Sequence, residues 1–240
     1  MRVQSGVTVF EVLDSSRTPD GKHLVLTRER GELTIYVEER VLMSSRLHGS
    51  EDALAEVGCA HLEVQGGKRA KKKRGPARVI VGGLGCGYTL RRTLDLLGPA
   101  DVVEICEVIP AVVKWHREGP LGALAQRPLD DPRTKLVLGD LGAHLRTGEE
   151  ERYDAMLLDV DNGPEALASR SNRWLYGDGG LSRIAALLAP GGVVVFWSAF
   201  EDRAFAERLA KTKLETRVVR VGAADRHDTD KHVLFVGERV

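Results

Sequence analysis

The stretch ARVIVGGLGCGYTLRRTLDLLG (77–98) joins three patterns that together predict the fold. It begins with a short apolar run rich in valine and isoleucine, which is typical of a buried β-strand. Gly83, Gly85 and Gly87 then indicate a turn, and apolar residues at helical spacing follow them. A strand joined to a helix by such a glycine turn is the first unit of many folds built on a parallel sheet. Because glycine has no side chain, the backbone of the turn can also approach a ligand closely.

The alternation of strand and helix continues to the end of the chain. Helices are predicted in PAVVKWHREG (110–119) and DRAFAERLAKT (202–212), and the last segment, 216–239, has the pattern of two strands joined by a polar loop. By analogy at the level of fold, this order predicts an α/β, Rossmann-like class I methyltransferase fold. Such a fold has a seven-stranded, mostly parallel sheet with a C-terminal antiparallel hairpin. The other predicted strands are DVVEICE (101–107), TKLVLGD (134–140), YDAMLLDVD (153–161) and GGVVVFWSA (191–199).

The N-terminal part has a different pattern, with apolar and polar residues alternating in VTVFEVL (7–13), HLVLTRE (23–29) and LTIYVEE (33–39). We therefore expect a small antiparallel β-domain over residues 1–48. A helix is predicted to begin with Ser50 as its N-cap. This helix and a linker span 49–76, and the Rossmann-like domain spans 77–240.

The linker contains QGGKRAKKKRGPAR (65–78), which is strongly basic. Such a run is either an electrostatic patch for RNA or a solvated linker. No aromatic residues are interleaved to stack on bases, so the linker interpretation is favoured and a nucleic-acid partner is not expected.

Composition excludes several other classes of protein. The 240 residues carry 35 basic and 35 acidic side chains, so no net charge favours nucleic acid or a membrane surface. No apolar run is long enough for a transmembrane helix, and the first residues do not resemble a signal peptide. The three cysteines are too scattered for a disulfide framework or a zinc site. We expect a cytoplasmic protein without a metal.

Polar residues follow three of the predicted strands. Glu107 comes 20 residues after Gly87, where an acidic side chain can accept both hydroxyls of a ribose. Asp140, followed by Leu141, ends the next strand and is placed to accept the amino group of an adenine. With the glycine turn, these residues predict an adenosine pocket. The spacing G-x-G-x-G suits a sulfonium nucleoside better than the G-x-G-x-x-G of dinucleotide enzymes.

Asp159 and Asp161 stand in LLDVDNGP (157–164), where a buried strand gives way to a turn. One interpretation is turn chemistry, since aspartate hydrogen-bonds to the backbone after a strand. The other is an active site, because open α/β sheets bind ligands at the carboxyl ends of their strands.

Residues 77–199 resemble the spermidine synthase-like (polyamine aminopropyltransferase) family of the class I S-adenosylmethionine-dependent methyltransferase superfamily. The N-terminal ELTIYVEERVLMSSRLHGSE (32–51) is similar to the small β-domain of that family. The segments that carry the resemblance are VGGLGCGYTLR (81–91), VVEICEVIPAVVKWHREGPLG (102–122), PLDDPRTKLVLGD (128–140), YDAMLLDVDNGP (153–164), NRWLYGDGGL (172–181) and LLAPGGVVVFWSA (187–199).

The resemblance implies transfer of an aminopropyl group from a sulfonium donor, S-adenosylmethionine or its decarboxylated form, to a small amine. Glu107 would hold the ribose of this donor, and Asp140 would lie near its adenine. Asp159 would bind the amine and take up its proton, and Asp161 or Asn162 would stand near the position of the family's second loop aspartate. The family also suggests a homodimer. Tyr176 is the candidate to position the amine, and His48 and Trp197 are further candidates for substrate contact.

The chain departs from the family at three places. Cys86 stands where the family has an aspartate in its glycine loop, and a glutamine expected near the fifth strand is absent, with Trp197 and Ser198 in that region. The segment SSRLHGSE (44–51) replaces an acidic segment, so that its Ser45, Arg46, His48 and Glu51 would line the site differently. Two alternatives therefore stay open: an S-adenosylmethionine-dependent methyltransferase and a non-catalytic nucleoside-binding protein.

Overall fold

The first sheet is formed by the N-terminal residues. A computed structural model of the protein describes residues 2–5, 8–62, 64–65, 68–69, 75–148, 150, 152–159, 173–222 and 232–240. Five antiparallel strands follow one another in sequence order, which confirms the predicted antiparallel sheet and adds a strand at each side of it. The strands are β1 (Arg2–Ser5), β2 (Thr8–Arg17), β3 (His23–Glu29), β4 (Glu32–Val37) and β5 (Arg40–Ser44).

Helix α1 (Gly49–Cys59) connects this sheet to the rest of the chain. The prediction that Ser50 is its N-cap is wrong, because the helix begins at Gly49 and His48, two residues before Ser50, occupies the N-cap position. The side chain of His48 makes no capping hydrogen bond, and the hydroxyl of Ser50, inside the first turn, donates to the carboxylate of Glu51. Two short antiparallel strands follow, β6 (Val64–Gln65) and β7 (Lys68–Arg69), and residues 70–74 of the basic run lie outside the described residues.

A seven-stranded sheet forms the larger part of the fold, in the order β10-β9-β8-β11-β12-β14-β13. Its first five strands are parallel, and β14 runs antiparallel to both β12 and β13. The predicted α/β fold with a C-terminal antiparallel hairpin is thus confirmed. The strands are β8 (Arg78–Gly82), β9 (Val102–Glu107), β10 (Thr134–Leu138), β11 (Tyr153–Leu158), β12 (Leu188–Ser198), β13 (Leu214–Val221) and β14 (His232–Arg239).

Helices cover both faces of this sheet, as a mostly parallel sheet requires. Successive strand residues point to opposite faces, so that Val79 and Val81 of β8 join one apolar core and Ile80 joins the other. Helices α1, α2 and α3 contribute to the first core, and α5, α6 and α7 contribute to the second. The remaining helices are α2 (Tyr88–Leu96), α3 (Pro110–Arg117), α4 (Leu121–Leu124), α5 (Leu141–Thr147), α6 (Asp178–Leu187) and α7 (Arg203–Leu209), with a 3-10 helix at Pro128–Asp130.

The strand order places the start of the Rossmann-like part at a reversal point. From β8 the chain moves to β9 and β10 on one side, then crosses back to β11 on the other side. Ligands of open α/β sheets bind at the carboxyl ends of the strands next to such a reversal. The division into residues 1–48, 49–76 and 77–240 stays a prediction.

Replacing Gly87 with alanine should destabilise the fold. Gly87 has a φ of 86° at the start of α2, and an added Cβ would lie 2.7 Å from Cε1 of His116. The left-handed backbone alone costs a side chain about 1–2 kcal/mol, and the close contact adds to that. We expect the free energy of unfolding, measured in urea, to fall by about 2 kcal/mol. Gly139→Ala is the control, because nothing lies within 4 Å of its added Cβ. Equal stability of the two variants would contradict this account.

Candidate active site

A cavity of about 300 Å³ lies at the carboxyl edge of the seven-stranded sheet. Residues from the ends of β8, β9, β10, β11 and β12 meet there, and β4, β5 and the first turn of α1 also contribute to its wall. The sequence-predicted residues that line it are Gly83, Gly85, Glu107, Asp140, Leu141, Asp159 and Trp197. The fold thus brings together the groups that the sequence places at separate strand ends.

Glu107 holds the glycine loop in place. Its Oε2 accepts the backbone N–H of Leu84 at 2.9 Å, and its Oε1 accepts that of Ile109 at 2.7 Å. Burial raises the pKa of Glu107 above its ordinary value, against these backbone N–H groups, which lower it. The carboxylate therefore joins the loop after β8 to the loop after β9, while it also lines the cavity.

His116 supports the same loop from α3. Its Nε2 lies 2.9 Å from the carbonyl oxygen of Gly85, and burial lowers the pKa of the imidazole. Because a carbonyl can only accept, Nε2 carries the proton and the neutral ring donates. The glycines leave the space that this arrangement needs, since a Cβ at Gly87 would meet the ring. His116 therefore holds the loop in place, and it is not one of the described residues that line the cavity.

Met43 covers the glycine loop from the N-terminal sheet. Its Sδ accepts the backbone N–H of Cys86, and a Cβ at Gly85 would lie 2.4 Å from that sulfur. The Cys86 thiol is buried beneath this contact. Burial, with Glu51 and Asp159 nearby, raises its pKa to about 12. The thiol is consequently neutral, and it contributes no charge and no thiolate nucleophile to the site.

Asp140 and Asp159 follow β10 and β11 at the cavity edge. Asp140 is the N-cap of α5, and its side chain accepts the N–H of Ala143 at 2.7 Å. Asp159 is held by its backbone N–H, which donates to the carbonyl of Gly82 at 2.9 Å. Leu141 adds an apolar surface next to Asp140. The cavity therefore combines an apolar wall with carboxylates from neighbouring strands, a composition suited to a cationic nucleoside.

Three predicted site residues that the structure describes lie elsewhere. Tyr176 is buried, with its ring 5.3 Å from Phe205 and 5.9 Å from Phe196, and it is not part of the described cavity lining. His48 stacks on Tyr88 at 4.2 Å, and its Nδ1 lies 2.8 Å from Oδ2 of Asp52 on α1. Gly87 is the N-cap of α2 and is not among the described residues that line the cavity. Roles for Tyr176 and His48 in substrate contact stay predictions.

Asp161 and Asn162 lie outside the described residues, and their roles also stay predictions. The segment 44–51 reaches the cavity, but of the four residues named in it only Glu51 lines the wall. Arg46 extends toward Glu32 at 3.8 Å on the surface, and Ser45 bonds the backbone of Leu33.

Sequence reasoning missed the supporting residues His116 and Met43, because no local pattern connects them with the glycine loop. It also missed His232, which begins β14, lines the cavity and lies 4.9 Å from the ring of Trp197. Among the described residues, no three His, Cys, Asp or Glu side chains form a group that could hold a metal ion. None of the helices that the structure describes has the length and apolar character needed to cross a membrane.

Comparison with known proteins shows which solved structures share this fold. No protein-family model matches the chain. Over 95% of the chain, the fold superposes on a spermidine synthase in complex with the transition state analogue AdoDATO, with a TM-score of 0.74 and 18% sequence identity, covering 74% of that chain. The spermidine synthase from Thermotoga maritima gives a TM-score of 0.72 at 17% identity, with 95% of this chain and 73% of that one covered. The fold is that of the solved spermidine synthases.

Sequence similarity to curated proteins points in the same direction. The chain is 33% identical over 125 residues to spermine synthase of Arabidopsis thaliana, covering 50% of this chain and 31% of that protein. It is 34% identical over 122 residues to polyamine aminopropyltransferase of Korarchaeum cryptofilum, with 50% and 35% covered. Putrescine N-methyltransferase 2 of Nicotiana tabacum is 31% identical over 121 residues, with 50% and 31% covered. The matches thus span about a third of each of these relatives, and the predicted spermidine synthase-like resemblance is confirmed.

Replacing Glu107 with alanine should lower stability even without a ligand. The variant leaves the buried N–H groups of Leu84 and Ile109 without their acceptor, and each unsatisfied group costs about 1–3 kcal/mol. Removal of a buried charge offsets part of this loss, so we expect a decrease of about 2 kcal/mol in the free energy of unfolding. Thermal and urea unfolding measure it, with Glu215→Ala on the exposed face of β13 as the control. A Glu107→Ala protein as stable as the wild type would contradict the conclusion that Glu107 holds the two loops together.

Proposed function

We propose that the protein transfers an aminopropyl group from an adenosyl sulfonium donor to an amine acceptor. The observation that carries this proposal is the single cavity in which Asp159 meets Glu107, Asp140 and the glycine loop. An adenosine site and a carboxylate for an amine are the two parts that such a transfer needs. The names of the similar proteins, spermine synthase and polyamine aminopropyltransferase, support the same chemistry.

The nucleoside part of the donor would bind at the carboxyl edge of the sheet. The glycine loop has no side chain at Gly83 and Gly85 and so allows close approach of the ligand to the backbone. Glu107 lines the cavity, and its carboxylate oxygens would accept the ribose hydroxyls. Asp140 would accept the adenine amino group, and Leu141 would pack on the ring. The loop is already held by Glu107 and His116, so donor binding does not have to order it.

Asp159 would act on the acceptor. An alkylamine has a pKa of about 10.4 and is protonated at neutral pH, so its nitrogen has no free lone pair until a proton leaves. A carboxylate next to the ammonium binds it, orients it and accepts or relays that proton. The nitrogen then attacks the carbon beside the sulfonium. A C–N bond forms, the C–S bond breaks, and its electron pair stays on sulfur as neutral methylthioadenosine leaves.

A methyl transfer is the second candidate. It is favoured by the neutral Cys86 in the glycine loop and by similarity to a putrescine N-methyltransferase. In that reaction the amine attacks the methyl carbon of S-adenosylmethionine, and S-adenosylhomocysteine leaves. Calorimetric titration with S-adenosylmethionine, its decarboxylated form and methylthioadenosine decides between the two donors. Tighter binding of the decarboxylated form supports aminopropyl transfer, and tighter binding of S-adenosylmethionine supports methyl transfer.

Asp159→Asn should separate binding from turnover. The amide keeps the size of the side chain but loses the charge that holds the ammonium and assists proton removal, a contribution of roughly 10²–10⁴ in rate. With saturating decarboxylated S-adenosylmethionine and a diamine, we expect kcat to fall at least about a hundredfold while donor affinity stays near that of the wild type. Product is measured by mass spectrometry.

The matched control is Asp95→Asn, which changes an aspartate on the surface of α2 that pairs with Arg91. It should leave kcat unchanged. Full turnover by Asp159→Asn would reduce this aspartate to a residue of the turn after β11 and would remove it from the mechanism.

A further inference from the structure

Strand β13 forms one edge of the seven-stranded sheet. All its residues, Leu214–Val221, are paired with β14, and in the part of the chain that the structure describes no strand lies on its other side. Alternate backbone N–H and C=O groups of β13 therefore point away from β14. A row of such groups at a sheet edge is a template for pairing with a further strand.

Two features that often protect an edge strand are absent from β13. The strand contains no proline, and its register with β14 is not interrupted by a bulge. The four consecutive residues 215–218 are exposed, and Val218 keeps 43% of its surface accessible. This stretch of the edge is therefore open to a second chain.

The side chains of this stretch divide between the two faces of the sheet. Glu215 and Arg217 lie on one face, and Leu214, Thr216 and Val218 lie on the other, because side chains alternate along a strand. Neither Glu215 nor Arg217 forms an ion pair with another residue that the structure describes. Two opposite charges on the same face of an edge strand are thus left for a partner.

Self-complementarity restricts how two copies of β13 can pair. In an antiparallel pair related by a two-fold axis, opposite residues are an even number of positions apart, so the axis passes through one residue of the strand. An axis at Glu215 or at Arg217 would place like charges opposite each other, which destabilises a sheet. An axis at Thr216 places Glu215 of each copy opposite Arg217 of the other, and it is the position within β13 that joins opposite charges.

The same register suits the other face of the strand. Leu214 of each copy then lies opposite Val218 of the other, and the two Thr216 side chains meet at the axis. Leu214 is 8% exposed and belongs to the second apolar core, so this contact would extend that core over an exposed valine. Pairing at Thr216 therefore adds apolar contact on one face and two ion pairs on the other.

The opposite edge of the sheet does not have this complementarity. Strand β10 has five residues, and Lys135 is its one charged side chain. A second copy of β10 would bring no opposite charge to that edge. Of the two edges, β13 is the one that fits a second copy of the chain.

We infer that two copies of the protein associate through β13, around a two-fold axis at Thr216, so that their seven-stranded sheets join edge to edge. Each copy contributes the same surface to the interface. The paired stretch is short, so the association is an equilibrium that depends on protein concentration. This inference does not rest on the proposed reaction.

The first test exchanges the charges. In sedimentation equilibrium over a series of concentrations, the wild-type protein should pass from monomer to dimer. Arg217→Glu places two acidic side chains opposite Glu215 residues and should raise the dissociation constant of the dimer at least about tenfold. The double variant Glu215→Arg with Arg217→Glu exchanges the two charges and should restore association. Lys135→Glu, the same change of charge on β10, is the matched control and should leave the dimer unchanged.

The second test measures the register by cross-linking. With the axis at Thr216, the two Cα atoms of this residue lie about 4.5–5.5 Å apart, within the range that a disulfide spans. Oxidised Thr216→Cys should therefore run as a covalent dimer on a non-reducing gel. Val218→Cys is the control, because its two copies would stand four residues apart along the strand, roughly 13 Å, and should not cross-link. The three native cysteines are buried and give no cross-link of their own.

The opposite results would overturn the inference. A wild-type protein that stays monomeric at every concentration would remove the interface. A dimer that Arg217→Glu does not weaken, or that the double variant does not restore, would be held by another surface. Cross-linking of Val218→Cys in place of Thr216→Cys would exclude the register. All these substitutions are at exposed positions, so urea unfolding should give each variant the midpoint of the wild type and show that it is folded.

Discussion

The burial of the central strands on both faces is the constraint on which the rest of the structure depends. Every residue of β11 is buried, and so are four of the five residues of β8. A strand covered by helices on both sides has no room for an unpaired polar side chain along its length. Polar groups therefore collect where the strands end, and the reversal of strand order beside β8 opens a space at that edge. Glu107 is the last residue of β9, and Asp140 and Asp159 come just after β10 and β11.

The glycine loop is held from three directions before any ligand arrives. Glu107 takes the N–H of Leu84 from the end of β9, His116 donates to Gly85 from α3, and Met43 reaches Cys86 from the N-terminal sheet. Each contact uses a backbone group that would otherwise be unsatisfied in a buried turn. A site held in this way is preorganised, so binding energy is not consumed in ordering the loop.

The N-terminal sheet and α1 complete the cavity rather than standing apart from it. Gly58 allows α1 to lie directly on the large sheet, since a Cβ there would fall 2.1 Å from a methyl group of Leu157. This close contact holds the first turn of α1 over the sheet edge and brings Glu51 into the wall.

The sequence alone determined the order of strands and helices, the glycine turn, and the carboxylates at successive strand ends. These follow from local periodicity and from the rule that parallel strands present their carboxyl ends at one edge. Only the tertiary structure decided which distant side chains complete the site. His116 lies 31 residues from Gly85, and Met43 lies 43 residues from Cys86. Ser50 shows the same limit at short range, because the helix begins at Gly49 and places this hydroxyl inside the first turn, where it donates to Glu51. Tyr176 lies in a segment that resembles the family, but its ring packs against Phe196 and Phe205. These two residues belong to distant elements, so the sequence around Tyr176 does not predict this apolar contact.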